Sequence, residues 1–530
     1  MFLLLALAGC ATLPTDFERT PSQAVEPTGD TKLGQLFAPR VAAHGGDLSG
    51  IHSLRYGTDA LAARIGLANA AQRTLDAQYY IWSGDLTGRS VLAALMRAAD
   101  RGVRVRLLLD DLSEYGYDRA LKTFALHPNV QVRMFNPFAE RGFLGIQFLT
   151  QFSRLNRRMH NKAFVADNQA AIVGGRNIAD EYFEAKPEHD YRDFDVLTVG
   201  PVVREVSRSF DAYWNSKFAI PVAVLEGEGE PPTRADLREL RERLAAHVRK
   251  ARRSEYAEAV QGGEFVEEAK SGELSMLWAE AYVVSDAPSK FGTDPEDPSG
   301  HLGPQLRSIV EGLDQELFII SPYFVPGESG VELFRKLEQQ GVDVRILTNS
   351  LASIDSPSFA GYVRYRVPLL RAGVELYELK PSARLPEERK RGGPLGSKGP
   401  SGGSLHAKVF IFDRKETFVG SMNLDPRSLR LNSELGVIVE SREFAGEVLS
   451  TVENQLATGA YRLDLEYAPI MHQPPPRPTM AWDDVDRPKL VWETVSEQGK
   501  KKRFETDPET SWWRRFLNGV LSIFVPEGQL

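Results

Sequence analysis

Cysteine occurs once in these 530 residues, at Cys10, so no disulfide can form within the chain. Long apolar stretches are missing as well: the opening run MFLLLALAG, before Cys10, is far short of the ~20 residues a spanning helix needs. There is no basic surplus, since 64 Lys and Arg stand against 72 Asp and Glu, for a net charge of -8. Proteins that grip long nucleic acid usually present a basic face, so this balance argues against a nucleic-acid partner. Histidine is scarce, at nine residues, and no cluster has the spacing of a metal cage. The expectation is therefore an enzyme or binding protein with neither metal nor cofactor. A hydrophobic content of 42% in a chain longer than one typical domain supports sizeable cores.

Two of the scarce histidines open nearly the same phrase, HNKAFVADNQAAIVGGRN (160–177) and HAKVFIFDRKETFVGSMN (406–423). In each, Lys follows His by two residues, Asp follows by five more, Gly by seven more and Asn by three more. His and Lys alternate with Phe164 or Phe410, which sets them on one face of a strand. The segments 167–169 and 413–415 read as turns, with AIVGG and TFVGS as returning strands. A hairpin brings the start of its first strand beside the end of its second. His160 and Lys162 should then meet Gly174, Gly175 and Asn177, and His406 and Lys408 should meet Gly420, Ser421 and Asn423. Small residues admit a ligand close to the backbone, and each Asn sits where a following helix could start, an end that favours anions. Imidazole, ammonium and amide around one small patch make a phosphate pocket. Its duplication points to phosphodiester chemistry. Asp167 and Asp413 sit at turn positions, where carboxylates cap backbone amides.

The repeat is wider than the motifs. Tyr79 matches Tyr323 at an offset of 244, Gly102 matches Gly341 at 239, and the histidines match at 246. That implies a duplicated unit of about 200 residues, too long for solenoid repeats of roughly 20–50. LDAQYYIW, GRSVLAALMRAADRG and VRVRLLLD read as strand, helix and buried strand, and LFIISPYFV, VELFRKLEQQG and VDVRILTN repeat the series. The predicted fold is α/β: two duplicated sandwich lobes, each a mixed sheet flanked by helices, at 46–223 and 273–465. Pseudo-twofold symmetry would bring both hairpins into one shared active site. A charged helical connector, 224–272, separates the lobes.

The paired motifs resemble those of the phospholipase D superfamily. From about 50 to 470 the chain is most similar to the bacterial cardiolipin synthase C branch. The resemblance runs through DAQYYIW (76–82), RGVRVRLLLDD (101–111), GGRNIADEYF (174–183), YWNS (213–216), SPYFVP (321–326), GSMNLDPRS (420–428) and FVPEGQL (524–530). Gly175 departs from it where the second motif has Ser421, so one hydroxyl donor is lost. The resemblance implies two duplicated phospholipase D-type lobes and metal-free transfer of a phosphatidyl group. His160 would attack phosphorus to give a phosphohistidine and His406 would serve as acid and base, with the reverse order open. The implied catalytic set is His160, Lys162, Asp167, His406, Lys408 and Asp413, with Asn177, Gly175, Asn423 and Ser421 at the phosphate. Each imidazole also needs an acceptor on its second ring nitrogen. Glu434, on the strand-like NSELGVIVE, is the candidate for the second half, and aligning ELGVIV with DFDVLT makes Asp193 its counterpart in the first. With phosphatidylglycerol as acceptor the product is cardiolipin. With water the enzyme is a phospholipase D, and with a nucleic-acid donor a nuclease.

The remaining segments concern location and partners. Leu-Ala-Gly-Cys at 7–10 resembles a bacterial lipoprotein processing box, implying a signal at 1–10, an acylated Cys10 and a tether at 11–45 to the cell envelope. The alternative is an uncleaved hydrophobic start. A basic loop, 381–404, runs into His406 as either a flap or a plain surface loop. GFLGIQFLTQF (142–152) is either an acyl-facing wall or a core helix. Residues 466–530 read as a tail around the surface, and WWRRFLNGVLSIFV (512–525) as either an interfacial membrane segment or a docked helix. The expected partners are phospholipid substrates and a membrane surface. A protein partner is not readable.

Overall fold

Strands rich in Val, Ile, Leu and Phe, with little polar alternation, must be covered on both faces. The computed structural model does this with two mixed sheets between helices. It describes residues 13–14, 16–112, 118–139, 151–186, 190–225, 230–354, 357–381, 403–467, 488–496 and 498–524. Cys10, most of the 142–152 wall and nearly all of the 381–404 loop lie outside the described residues.

Twenty strands are named in chain order. The first nine are β1 (Ser49–Leu54), β2 (Thr74–Tyr79), β3 (Arg104–Asp110), β4 (Val130–Phe135), β5 (Ala163–Ala166), β6 (Ala170–Gly174), β7 (Asp190–Arg192), β8 (Asp195–Val199) and β9 (Ala219–Pro221). Next come β10 (Leu277–Ser285), β11 (Glu316–Ile320), β12 (Asp343–Asn349), β13 (Glu375–Leu379), β14 (Gly403–Leu405), β15 (Val409–Phe412) and β16 (Glu416–Gly420). The last are β17 (Leu435–Glu440), β18 (Ala460–Glu466), β19 (Lys489–Val495) and β20 (Lys501–Phe504).

The first sheet runs β1-β8-β6-β5-β2-β3-β4-β9, with β2, β3 and β4 parallel and the rest antiparallel. The second repeats it as β10-β17-β16-β15-β11-β12-β13-β18 and adds β19 and β20 at the edge. The duplication read from the sequence is thus strand for strand. One of its matches shifts: Asp167 N bonds Thr74 O, and Asp413 N bonds Glu316 O, so equivalent residues of β2 and β11 stand 242 apart. Tyr79 therefore corresponds to Ser321, and its pairing with Tyr323 was two residues out.

The lobes meet face to face. Alternation along β5 sends Phe164 outward and Ala163 and Val165 toward the partner lobe, and β15 does the same with Phe410 and Phe412 against Val409 and Ile411. Small and β-branched side chains let the two sheets close on each other. Helices Pro201–Trp214 and Arg442–Gly459 fill out this shared layer with Val202, Val206, Phe444 and Val448. Antiparallel pairing of β1 with β10, at Ser49–Ala279, joins the sheets at one edge.

Two segment expectations change. The 11–45 tether is not free chain where it is described. Ala24 N donates to Asp211, Arg106 to Ser22 O and Arg133 to Thr20 O, and the helix Lys32–Ala43 buries Leu33 and Phe37. The second lobe does not end at 465, because β19 and β20 extend its sheet. The connector is helical as expected, in three helices, Arg234–Ala251, Glu255–Gln261 and Glu264–Ser271, whose Leu237, Leu240, Leu244 and Phe265 join the first-lobe core. Among the described residues no helix is long and apolar enough to cross a membrane.

Candidate active site

Both motifs form the hairpins their spacing required. Ala163 pairs with Val173 and Val409 with Val419. Each hairpin turns through two residues at positive φ, Asp167 and Asn168 in one, Asp413 and Arg414 in the other. Asp and Asn tolerate that left-handed region better than most residues. The histidines and lysines lie just before the strands, where the chain enters the gap between lobes. His160, Lys162, His406 and Lys408 are all nearly buried.

Asp167 and Asp413 are not there. They sit at the far end of each hairpin, about 20 Å of extended chain from the histidines. Asp167 accepts from the amides of Gln72, Arg73 and Thr74 at 2.9, 2.7 and 2.9 Å. Asp413 accepts from Asp314, Gln315 and Glu316 at 3.1, 2.7 and 3.0 Å. The geometry corrects their place in the catalytic set: they pin hairpin tip to strand start. Asp167→Ala is expected to cost roughly 2–4 kcal/mol of stability by stranding those amides, while kcat per folded molecule stays within a few-fold. Thermal unfolding beside an activity assay checks this.

The carboxylates are crossed between lobes. His160 Nδ1 lies 2.8 Å from Glu434 Oε2, and His406 Nδ1 lies 2.5 Å from Asp193 Oδ2. Sequence alignment had set Glu434 with the second half and Asp193 with the first. Backbone pairing explains the exchange. His160 N donates to Ser433 O and Ser433 N to Arg158 O, zipping the chain before β5 to the residue before Glu434. Likewise β14 pairs in parallel with β7, and His406 N donates to Arg192 O at 2.7 Å. Asp193 and Glu434 each follow such a segment directly.

Other buried groups hold these segments. At the end of β3, Asp110 accepts from Met159 N and from Arg158. The equivalent Asn349 at the end of β12 bonds Leu405 through both its N–H and its carbonyl. Asp286, paired with Lys290, accepts from Glu434 N. The sequence showed the matched strands RLLLD and RILTN but gave no sign that their last residues carry the histidines.

Gly175 and Ser421, expected at the phosphate, serve the carboxylates. A Cβ on Gly175 would lie 2.2 Å from Asp193 Oδ1, so only glycine leaves room for that carboxylate. Ser421 Oγ donates to Glu434 Oε2 at 2.5 Å. Gly175→Ala is therefore expected to displace Asp193 and lower turnover by about 10²-fold. Ser421→Ala, which removes a donor from Glu434 and an acceptor from Leu435 N but displaces neither carboxylate, should cost less; steady-state rates of both variants decide it. Asn177 is occupied too, donating to Tyr182 Oη and accepting from Ile81 N. Asn423 Oδ1 is buried with no hydrogen-bond partner. Neither asparagine opens a long helix: only a short 3-10 turn, Asp180–Tyr182, and the five-residue Pro426–Arg430 follow.

Aromatic rings enclose the histidines, which the motif did not announce. Tyr80 stands edge-on to His160 at 5.1 Å, with Lys162 Nζ 5.6 Å from its ring centre. Tyr182, Tyr191 and Tyr323 lie 5.0, 5.2 and 6.5 Å from His406. Lys162 Nζ donates to the His160 carbonyl, and Lys408 Nζ donates to the His406 carbonyl and sits 3.0 Å from its ring.

Electrostatics follow from this enclosure. Burial, then the nearby lysines, hold both imidazoles below their ordinary range, His406 at about 3. Each histidine also feels the other motif's lysine, as one chamber requires. Burial lowers Lys162 to about 7 and Lys408 to about 8. Burial raises Glu434 to about 7, with Lys162 opposing. Burial would also raise Asp193, but His406, Lys408 and Arg176 together hold it below the carboxylate range. The two halves are alike in shape and unlike in charge. Among the described residues no group of His, Cys, Asp and Glu could hold a metal ion.

Comparison with known proteins fits this geometry. The family model for cardiolipin synthase, PLD-like domain, matches residues 65–214 and 310–456, one copy per sheet. Cardiolipin synthase C of Escherichia coli (strain K12) is 39% identical over 500 residues, covering 94% of this chain and 99% of that protein. An uncharacterized protein of Helicobacter pylori (strain ATCC 700392 / 26695) is 30% identical over 94% of this chain and 93% of its own. Cardiolipin synthase A of Pseudomonas syringae pv. syringae (strain B728a) is 26% identical over 72% of this chain and 63% of its own. The crystal structure of phosphatidylserine synthase from Haemophilus influenzae Rd KW20 covers 80% of this chain and 91% of that one at 14% identity, with a TM-score of 0.53, a likeness of fold. With both halves matched and a relative this similar along nearly its whole length, the chain belongs to the cardiolipin synthase family of phospholipase D-like enzymes.

Proposed function

We propose that the enzyme moves a phosphatidyl group from one phospholipid to the glycerol hydroxyl of phosphatidylglycerol, making cardiolipin through a phosphohistidine. The crossed histidine–carboxylate pairs carry this reading, since each imidazole has one ring nitrogen fixed and the other left for phosphorus or a proton. Opposite an ionised Asp193, His406 Nδ1 bears the hydrogen and the ring is suited to becoming an imidazolium. Glu434 is near neutrality, so His160 has less reason to take a proton and stays nucleophilic.

His160 Nε2 attacks phosphorus as His406 gives a proton to the leaving alcohol. His406 then takes a proton from the acceptor hydroxyl, which attacks the phosphohistidine and frees His160. Lys162 and Lys408 face the non-bridging oxygens, whose charge must be held throughout. A bound phosphate also offsets the two lysines that depress His406, raising its proton affinity when an acid is needed.

The acyl chains need an apolar approach. A cavity of about 120 Å³ lined by Leu347, Leu379, Leu405, Val409, Val448 and Leu456, together with Tyr191 and Asp193, gives apolar surface next to the carboxylate paired with His406, with room for a few methylenes and not for a whole chain. The substrates lie in a membrane, so the enzyme works at a bilayer surface. Incubation with labelled phosphatidylglycerol tests the reading. Cardiolipin is the expected product, and phosphatidic acid alone would assign the enzyme to hydrolysis.

A pH dependence follows from the lysines. Both must be charged to hold phosphate, so the lysine contribution to kcat/KM should be about half lost by pH 7 as Lys162, at about 7, gives up its proton, and should fall further as Lys408 does so at about 8. A pH–rate profile rising through that window would contradict the assignment.

A further inference from the structure

The C-terminal helix Trp512–Phe524 is held to the second lobe by one face and leaves the other in solvent. Trp512 is 67% exposed, Trp513 61%, Phe516 48% and Leu517 48%. The three rings stack, with Trp512 and Phe516 centroids 5.4 Å apart and Trp513 and Phe516 5.5 Å apart. Aromatic surface on this scale is ordinarily buried or functional.

The helix is also basic, with Arg514 and Arg515 and no acidic residue between 512 and 524. Exposed Lys500, Lys501 and Lys502 stand on the preceding β19–β20 hairpin. This is a local reversal in a chain of net charge -8. The position is telling too. Arg514 donates to the carbonyls of Ala352 and Ile354, in the loop leaving β12. The last residue of β12, Asn349, holds Leu405 directly before His406. The helix therefore packs beside the loop that leaves β12, five residues or fewer past the Asn349 that holds the residue before His406.

We infer that this helix is a docking surface for an anionic phospholipid bilayer, lying in the interface with Trp512, Trp513, Phe516 and Leu517 among the lipids. Tryptophans and arginines on one short helix suit the headgroup boundary, and the positive charge complements anionic lipid. At ~1.5 Å per residue the thirteen-residue helix is ~20 Å long, enough to lie along the surface and too short to cross it. Docked there, it holds the second lobe against the layer that contains both substrates. The inference rests on the phosphatidyl-transfer reading for the identity of the surface.

The test uses the full chain with Cys10→Ser throughout, so that no acyl group contributes. Co-sedimentation with vesicles of phosphatidylglycerol in phosphatidylcholine is compared for this protein and for the same protein with Trp512→Ser, Trp513→Ser and Phe516→Ser. The substituted helix should bind about tenfold more weakly or worse and turn over vesicle substrate with a matching rise in KM. Turnover of dispersed short-chain phosphatidylglycerol should be unchanged. Leu517→Asp, on the same exposed face, gives a second reading should the triple variant fold poorly. Equal vesicle binding by all variants overturns the inference. So does a dimer that dissociates on substitution while vesicle binding persists, which would make the patch a protein interface. If vesicle binding falls as expected but no phosphatidyl transfer occurs on any lipid, docking stands and the enzymatic reading fails.

Discussion

Alanine at His160 is expected to lower kcat by about 10⁴-fold or more while the fold survives. His160 lies in the gap between lobes and contributes no part of either apolar core, so its loss removes chemistry before it removes stability. Radiolabel from a phosphatidylglycerol carrying ³²P should be trapped on the wild-type enzyme by rapid denaturation and be missing from His160→Ala. His406→Ala should lose turnover to a similar extent for a different reason, because the leaving alcohol is no longer protonated. A donor with a far better leaving group bypasses that step, so His406→Ala should still accumulate label on His160. Label on His406 in a His160→Ala background would reverse the assignment, and full activity in both single variants would refute a shared site.

The second large effect is an inequality between carboxylates. Asp193→Asn keeps the shape but removes the charge that fixes the His406 tautomer, so a loss of roughly 10³–10⁴-fold in kcat is expected, as for other histidines deprived of an ionised partner. Glu434→Gln should cost far less, about tenfold, because burial has already raised this carboxyl to about 7 and the charge removed is only partial. The crossing adds a sharper criterion. Asp193→Asn should add little to the loss in His406→Ala, although the two residues come from different lobes, because both act through one imidazole. Multiplying losses would mean that Asp193 acts on something else. Circular dichroism of each variant separates a positioning effect from misfolding.

The legible part of this protein was its local part. A strand repeats every two residues, so the His-x-Lys spacing, the turn and the returning Gly-x-x-Asn had to form a hairpin with the polar ends together. The same reasoning found the helix ending at Gly102 and the parallel strands after it. It also recognised that Asp167 and Asp413 occupy turns, where carboxylates hold amides. Their assignment to the catalytic set came from the family resemblance and not from their position.

What failed was non-local. Glu434 lies 274 residues from His160 and Asp193 lies 213 from His406. No periodicity reports which lobe's strand will pass each histidine. Repeat alignment pairs like with like inside a lobe, and so it gave the wrong partners once the lobes exchanged segments. The tyrosines around His406 come from 182, 191 and 323, three stretches without a common pattern. The N-terminal segment looked like a linker by composition, but its backbone supplies acceptors to Arg106 and Arg133, a use of main chain that side-chain content cannot reveal.

The amino-acid order alone determined that there are two copies of one phosphate-binding hairpin, each with its own imidazole and ammonium, because spacing along a strand fixes which side chains share a face. Tertiary structure decided that each copy borrows its carboxylate from the other, and that Gly175 makes room for Asp193 while Ser421 serves Glu434. Those outcomes depend on how two sheets press together and exclude water. Burial, which shifts Lys162, Glu434 and both histidines away from their ordinary protonation, exists only once that packing is complete.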